Sequence, residues 1–266
     1  MARPFSVTRQ TGFGTIAIFC FAALYLPIFV LVAFAFNAGE NMSDWQGFSL
    51  RWFDKAFHNQ QVIDASFNSL KIAGFAAVAS TLVATMAAIA TTRTTPFKGL
   101  GFIYGMINLC LIVPEIVTAV ALLVFFAQIR IFTGYTGFGY LFAAHTAFCI
   151  PFAYLPIRAR LESMDLTLER AAADLYATPW KTFRYISLPL LRPGILAGFM
   201  LAFVISLDDV IITNLVKSGG QDTLPTYMLG QIRRAVTPET NAISAVFLLL
   251  SVVIVTVFYF LNKKRN

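Results

Sequence analysis

The chain has 266 residues, 58% of them apolar and only 12% charged, and its mean hydropathy is positive. A soluble domain carries roughly twice that charged fraction. The composition therefore excludes an ordinary soluble enzyme and points to one all-α integral membrane domain over residues 1–266. The net charge of +7 fits basic loops lying against anionic lipid, and nucleic acid is not an expected partner.

Residues 1–11 are short and basic, with Arg3 and Arg9. An apolar run from about Gly12 to Phe36 follows. Ala33-Phe34-Ala35 looks like a cleavage site, but the run is too long for a cleaved leader, so it is read as a first transmembrane helix bent at Pro27. Residues 37–63 are polar and aromatic and form an extramembrane segment; Asn41-Met42-Ser43 within it matches a glycosylation triplet by chance composition. The second span, about Asp64 to Thr92, is rich in Ala, Gly, Ser and Thr. Small residues let helix backbones approach, so this helix is expected to be buried among others. A basic turn, Arg93 to Lys98, leads to a third span, about Gly99 to Gln128, broken at Pro114-Glu115. The fourth span runs from about Tyr140 to Ile157, with Pro151 and Pro156 near its end. The fifth runs from about Leu190 to Ile212 and the sixth from about Pro238 to Leu261. Cys20, Cys110 and Cys149 fall inside apolar runs without CxxC spacing and read as packing residues.

Lys and Arg are unequally shared between alternate loops. One side holds Arg3, Arg9, Arg93, Lys98, Arg158, Arg160, Arg170, Lys181, Arg184, Arg192 and Lys263 to Arg265; the other holds Arg51, Lys55, Arg130, Lys217, Arg233 and Arg234. The richer side is expected to be cytoplasmic, which gives six transmembrane helices with both termini inside. No phosphate-binding loop, dinucleotide fingerprint or HExxH motif is present, and a lone His145 in a helix reads as a hydrogen-bonded core residue rather than a metal ligand. No nucleophile–base set appears, so a non-catalytic role is expected, with neither a metal nor a cofactor of its own.

The long polar run Arg158 to Pro193 has internal design. Asp165 or Thr167 can cap a helix starting near Leu168. Leu168, Ala171, Ala172 and Leu175 then recur at i, i+3, i+4 and i+7 as a narrow apolar face flattened by its alanines. Arg170 and Asp174 are spaced as an i,i+4 ion pair. Thr178-Pro179 reads as the N-cap and first residue of a second short helix. Two readings remain open on these residues alone: a connector lying on its own bundle, or a docking element for another protein.

This run resembles the coupling loop of binding-protein-dependent ABC importer permeases, E-A-A-x-x-x-G-x(9)-I-x-L-P. The match is Arg170-Ala171-Ala172, then Tyr176, then Ile186-Ser187-Leu188-Pro189. Arg170 stands where glutamate is usual, with Glu169 adjacent, and Tyr176 stands where glycine is usual. If that turn requires φ > 0, tyrosine there costs about 1–2 kcal/mol. The resemblance implies the six-helix type I importer permease fold, with its core at about 64–262 and its coupling loop at about 158–189. It assigns contact with a cytoplasmic ATPase to Glu169, Arg170, Ala171, Ala172, Asp174, Tyr176, Leu188 and Pro189. The chain is further similar to the polyamine (spermidine/putrescine) branch through Phe67-Asn68-Ser69-Leu70, Pro114-Glu115, Ser206-Leu207-Asp208-Asp209, Thr223-Leu224-Pro225 and Pro238-Glu239. The implied partners are a homologous permease, two ATPase subunits that carry the ATP and Mg²⁺, a periplasmic solute-binding protein and the lipid of a bacterial inner membrane. Permeases for iron, thiamine, opines or amino-acid-like solutes share much of this pattern. A free-standing secondary transporter is the alternative of a different class, disfavoured by the docking loop and by the lack of an internal repeat.

Charges within spans are costly and point to function. Glu115 lies roughly 22 Å, and Asp208 and Asp209 roughly 27 Å, along their helices at about 1.5 Å per residue. All three fall in the outer half, where carboxylates would pair with the ammonium groups of an amine cargo as it sheds water. Against that, Glu115 can simply serve the Pro114 break, and Asp208 and Asp209 can lie near the outer headgroups, merely solvated, and as neighbours cannot share one face of a continuous helix.

Overall fold

The computed structural model describes residues 13–40, 44–95, 97–234 and 237–263, with the backbone alone for 261–263. Arg3, Arg9, Asn41-Met42-Ser43, Pro96, Lys264 and Arg265 lie outside the described residues. Everything regular among the described residues is helical. In chain order the helices are α1 (Phe13–Phe34), α2 (Arg51–His58), α3 (Gln60–Thr92), α4 (Leu100–Ile112), α5 (Glu115–Thr133), α6 (Gly139–Ser163) and α7 (Thr167–Asp174). Next, α8 (Pro179–Thr182) runs through a π-helical turn (Phe183–Ser187) into α9 (Leu188–Asp208), followed by α10 (Ile211–Val216), α11 (Leu224–Arg234) and α12 (Pro238–Lys263). Six of these segments are long and apolar enough to cross a bilayer: α1, α3, α5, α6, the continuous Pro179–Asp208 stretch, and α12 to Phe260. The chain is a six-span, all-α membrane protein.

The chain folds as two compact units, residues 1–60 with 230–250, and residues 61–229 with 251–266. The first unit is organised by Asn37, which is fully buried. Its side-chain carbonyl accepts from the N–H groups of Gly39 (3.2 Å) and Gln46 (2.9 Å), and its amide donates to Asp44 O at 2.8 Å. Its own carbonyl accepts from Trp52 Nε1 at 3.0 Å. Trp52 packs with Ala35 and Ala242, so α2, within the segment expected to be extramembrane, is anchored on its own unit. Glu239 fastens it further, pairing with Lys55 Nζ at 2.8 Å and accepting from Asn59 Nδ2 at 3.1 Å.

In the second unit α3, α6 and α9 form the centre. The apolar windows of α3 and α6 are each 44% buried within this chain, against none for α1, which marks them as inner helices. The small residues of α3 explain this: Ala77, Ala84 and Ala88 meet Ala153, Tyr154 and Ile157 of α6 and Ala202 of α9 in one cluster. Close approach of α9 to α6 requires glycine at two places. A Cβ at Gly198 would sit 2.7 Å from Ala153 O, and one at Gly194 would sit 2.6 Å from Arg160 Cβ. A second cluster joins Ile72 of α3, Ala119 and Phe126 of α5, Leu141 and Ala144 of α6, and Ile212 and Val216 of α10.

Several boundaries differ from expectation: the third span is Glu115–Thr133, with Leu100–Ile112 a separate shorter apolar helix ahead of the Pro114 break, so Glu115 opens its span, and the fifth span ends at Asp208 rather than near Ile212. α6 runs through Pro151 and Pro156 to Ser163, because a proline inside a membrane helix removes one ladder bond without ending the helix when neighbours pack around it. The fifth span begins at Pro179 rather than near Leu190. The polar loop proper is thus confined to residues 164–178.

Candidate functional site: a docking loop and a carboxylate cavity

The loop is built from caps. Asp165 Oδ1 accepts from the N–H of Thr167 at 2.9 Å, a bond that holds the Asp165 carboxyl below the usual carboxylate range. Thr178, extended at φ −69° and ψ 153°, accepts from Lys181 N at 3.4 Å with Pro179 in the first helical turn. The end of α7 is a Schellman turn: Tyr176 N donates to Ala173 O at 2.9 Å, and Ala177 N donates to Ala172 O at 3.0 Å. Its left-handed position is filled by Tyr176 at φ 58°, the one non-glycine residue with positive φ among the described residues. The tyrosine expected to be strained is strained, and its ring is 96% exposed, so nothing within the chain offsets that strain.

Within α7 the residues part company. Glu169 faces inward, accepting from Ser187 Oγ at 2.8 Å and pairing with Arg93 Nε at 3.3 Å. It therefore ties α7 to the end of α3 and to the π-helical turn that starts the fifth span. Ala172 is buried against its own chain, whereas Ala171, Leu168, Leu175 and Tyr176 are exposed. The flat face is thus split, and only part of it is available to another protein. Arg170 is exposed, and the Arg170–Asp174 ion pair does not form; the i,i+4 pair near this loop is Arg158–Glu162 at 2.7 Å. Leu188 and Pro189 are half-buried at the start of α9. Beneath α7 lies a cavity of about 370 Å³, lined by Arg93, Glu169, Ala173, Phe183, Ser187 and Leu191.

The three carboxylates expected within the membrane come together. Glu115, Asp208 and Asp209 line one cavity of about 480 Å³ with Phe148 and Phe152. Two helix breaks make this possible. α4 ends at Ile112, Val113 and Pro114 are extended (ψ 128° and 135°), and Glu115 opens α5. α9 ends at Asp208, Asp209 is extended (ψ 131°), and α10 starts at Ile211. Because the helix stops between them, Asp208 and Asp209 reach one cavity, which no continuous helix would allow. Their settings differ: Asp208 is exposed, whereas Asp209 is 5% exposed. Asp209 accepts from Ile212 N (3.2 Å), Thr213 N (2.8 Å) and Thr213 Oγ1 (2.7 Å).

Sequence spacing missed His145, whose Nε2 lies 3.5 Å from Asp209 Oδ2 although the two are distant in the chain. It also missed Phe148 and Phe152, whose i,i+4 spacing on α6 was the available signal. Discontinuous helices whose ends and carboxylates converge on one cavity are an arrangement by which transport proteins hold charged cargo.

Residues 80–264 match the family described as binding-protein-dependent transport system inner membrane component. The chain belongs to that family. Within it, the chain is 36% identical over 246 residues to the spermidine/putrescine transport system permease protein PotC of Haemophilus influenzae, covering 92% of this chain and 94% of that protein. It is 34% identical over 245 residues to the putrescine transport system permease protein PotI of Escherichia coli K12, covering 91% and 87% respectively. Its fold is similar to that in the crystal structure of a bacterial ABC transporter importing alginate, with TM-score 0.70 and 15% identity over 98% of this chain and 99% of that one. It is also similar to that of the inward-facing MetNI methionine transporter, with TM-score 0.63 and 16% identity over 77% and 95%.

Proposed function

We propose that this permease is the membrane subunit of an ATP-driven importer, and that its cargo is a polyamine such as putrescine or spermidine. The observation that carries the cargo is the cavity where Glu115, Asp208 and Asp209 meet Phe148 and Phe152. An alkyl diamine presents cationic ends joined by an apolar stem. Taking an ammonium out of water is costly unless an opposite charge replaces its hydration, and the phenylalanine faces suit both the stem and the cation. The naming of PotC and PotI for spermidine and putrescine supports the same choice.

The assembly in this reading contains a homologous permease, two ATPase subunits and a periplasmic binding protein, in a bacterial inner membrane. The loop at 164–178 and both termini face the cytoplasm, in keeping with the excess of Lys and Arg on that side. Leu168, Ala171, Leu175 and Tyr176 provide the exposed docking ridge for the ATPase. When ATP draws the ATPase subunits together, α7 moves with them. Glu169 passes that movement through Arg93 to α3 and through Ser187 to α9, whose far end carries Asp208.

The test is uptake of labelled putrescine into proteoliposomes holding this chain with its neighbouring permease, ATPase and binding protein. ATP-dependent putrescine uptake is expected. Uptake of thiamine, iron or an amino acid in its place would overturn the cargo assignment, and ATP-independent uptake by this chain alone would overturn the importer assignment.

A further inference from the structure

We infer that His145 is a positioning residue for the carboxylate cavity, stapling the α9–α10 break so that Asp209 is held as its fixed wall. The inference rests on the transport reading above but assigns a role to a residue outside both the loop and the cavity lining. His145 is fully buried in α6. Its Nδ1 lies 2.8 Å from Ser206 Oγ, on α9 just before the break, and its Nε2 lies 3.0 Å from Thr213 Oγ1, on α10 just after it.

For a neutral imidazole, the hydrogen-bond pattern assigns the protons along this chain of contacts. Thr213 has one hydroxyl hydrogen, and it is donated to Asp209 Oδ2 at 2.7 Å. Thr213 Oγ1 can therefore only accept from His145, which places the imidazole hydrogen on Nε2. Nδ1 is then an acceptor, satisfied by the Ser206 hydroxyl. The relay runs Ser206 to His145 to Thr213 to Asp209, with every donor matched to an acceptor, and ends on a cavity wall. The α10 helix has only six residues; its Ile212 and Val216 pack against α3, α5 and α6, and the imidazole adds the polar tie that joins it to α9 across the break. The carboxylates divide accordingly: Glu115 and the exposed Asp208 meet the cargo, while Asp209 and His145 hold the frame in which they do so.

The experiment is putrescine imported per ATP hydrolysed by the assembled transporter in proteoliposomes. His145→Phe keeps the ring's bulk and removes both nitrogens; the yield per ATP is expected to fall about tenfold, on the order of one or two lost buried hydrogen bonds. His145→Gln, whose amide can accept from Ser206 and donate to Thr213, is expected to recover to within about threefold of wild type. Thr213→Val should reproduce the loss and Thr213→Ser should not, which keeps the test intact if the phenylalanine variant fails to assemble. A wild-type yield in both His145→Phe and Thr213→Val, or equal losses in the Phe and Gln variants, would overturn the positioning role. If the wild-type transporter imports no putrescine, it is the cargo assignment that fails instead.

Discussion

Replacing Tyr176 by glycine should tighten the 164–178 loop. Tyr176 holds the left-handed position of the Schellman turn at φ 58°, and its ring is 96% exposed, so the substitution removes strain and almost no packing within the chain. Left-handed backbone costs an ordinary L-residue about 1–2 kcal/mol. Glycine escapes that penalty but adds roughly 0.5–1 kcal/mol of unfolded-chain entropy. The difference leaves the turn more stable by about 0.5–1 kcal/mol, a two- to fivefold change in its opening equilibrium. Hydrogen exchange of the purified protein reads this directly, since the amides of residues 176 and 177 donate to Ala173 O and Ala172 O. Their exchange should slow two- to fivefold in Tyr176→Gly while that of peptides from α6 and α9 stays unchanged. Equal or faster exchange at those two amides would refute the strain argument. Because the tyrosine stands in the turn despite its cost, the same variant should dock its ATPase more weakly even as its loop becomes more ordered.

Two further outcomes follow from packing. Gly198→Val drives a side chain into Ala153 O and Ile157 at a position where even one Cβ has only 2.7 Å; it should cost about 1–3 kcal/mol and lower the thermal midpoint of the purified protein, and an unchanged midpoint would contradict the close α6–α9 packing. Glu169→Ala leaves Arg93 half-hidden without its carboxylate, a loss of about 1–3 kcal/mol after allowing for its partial exposure. The double variant Arg93→Met with Glu169→Ala should recover much of that midpoint, whereas simple addition of the two single losses would count against the pair.

Most of the architecture is legible because it is written in long apolar runs. The burial of α3 can be read from its alanines, and the breaks at Pro114 and after Thr178 from proline chemistry. α6 outruns its expected end because Pro151 and Pro156 look like stops, and a stop in water is only a lost bond in a packed membrane helix. The break after Asp208 carries neither proline nor glycine, so no local signal foretells that Asp208 and Asp209 share one cavity. Residues of the 164–178 loop are identifiable through the family pattern, yet the pattern does not tell that Glu169 and Ala172 turn inward while Ala171 and Tyr176 turn out. That division depends on Arg93 and Ser187, which no local periodicity connects to α7. His145 is a hydrogen-bonded core residue, but its partners lie on α9 and α10, beyond any spacing rule.

The central claim is that amine cargo passes the carboxylates at the two helix breaks. It is tested most directly by neutralising the two assigned to meet the cargo, Glu115→Gln together with Asp208→Asn, and measuring ATP-driven putrescine uptake by the assembled transporter. With Asp209 left to hold the frame, uptake should fall by at least about a hundredfold, the scale of two lost charge-assisted contacts at about 1.5–3 kcal/mol each, while the protein still inserts and assembles. Wild-type uptake in that double variant would contradict the account.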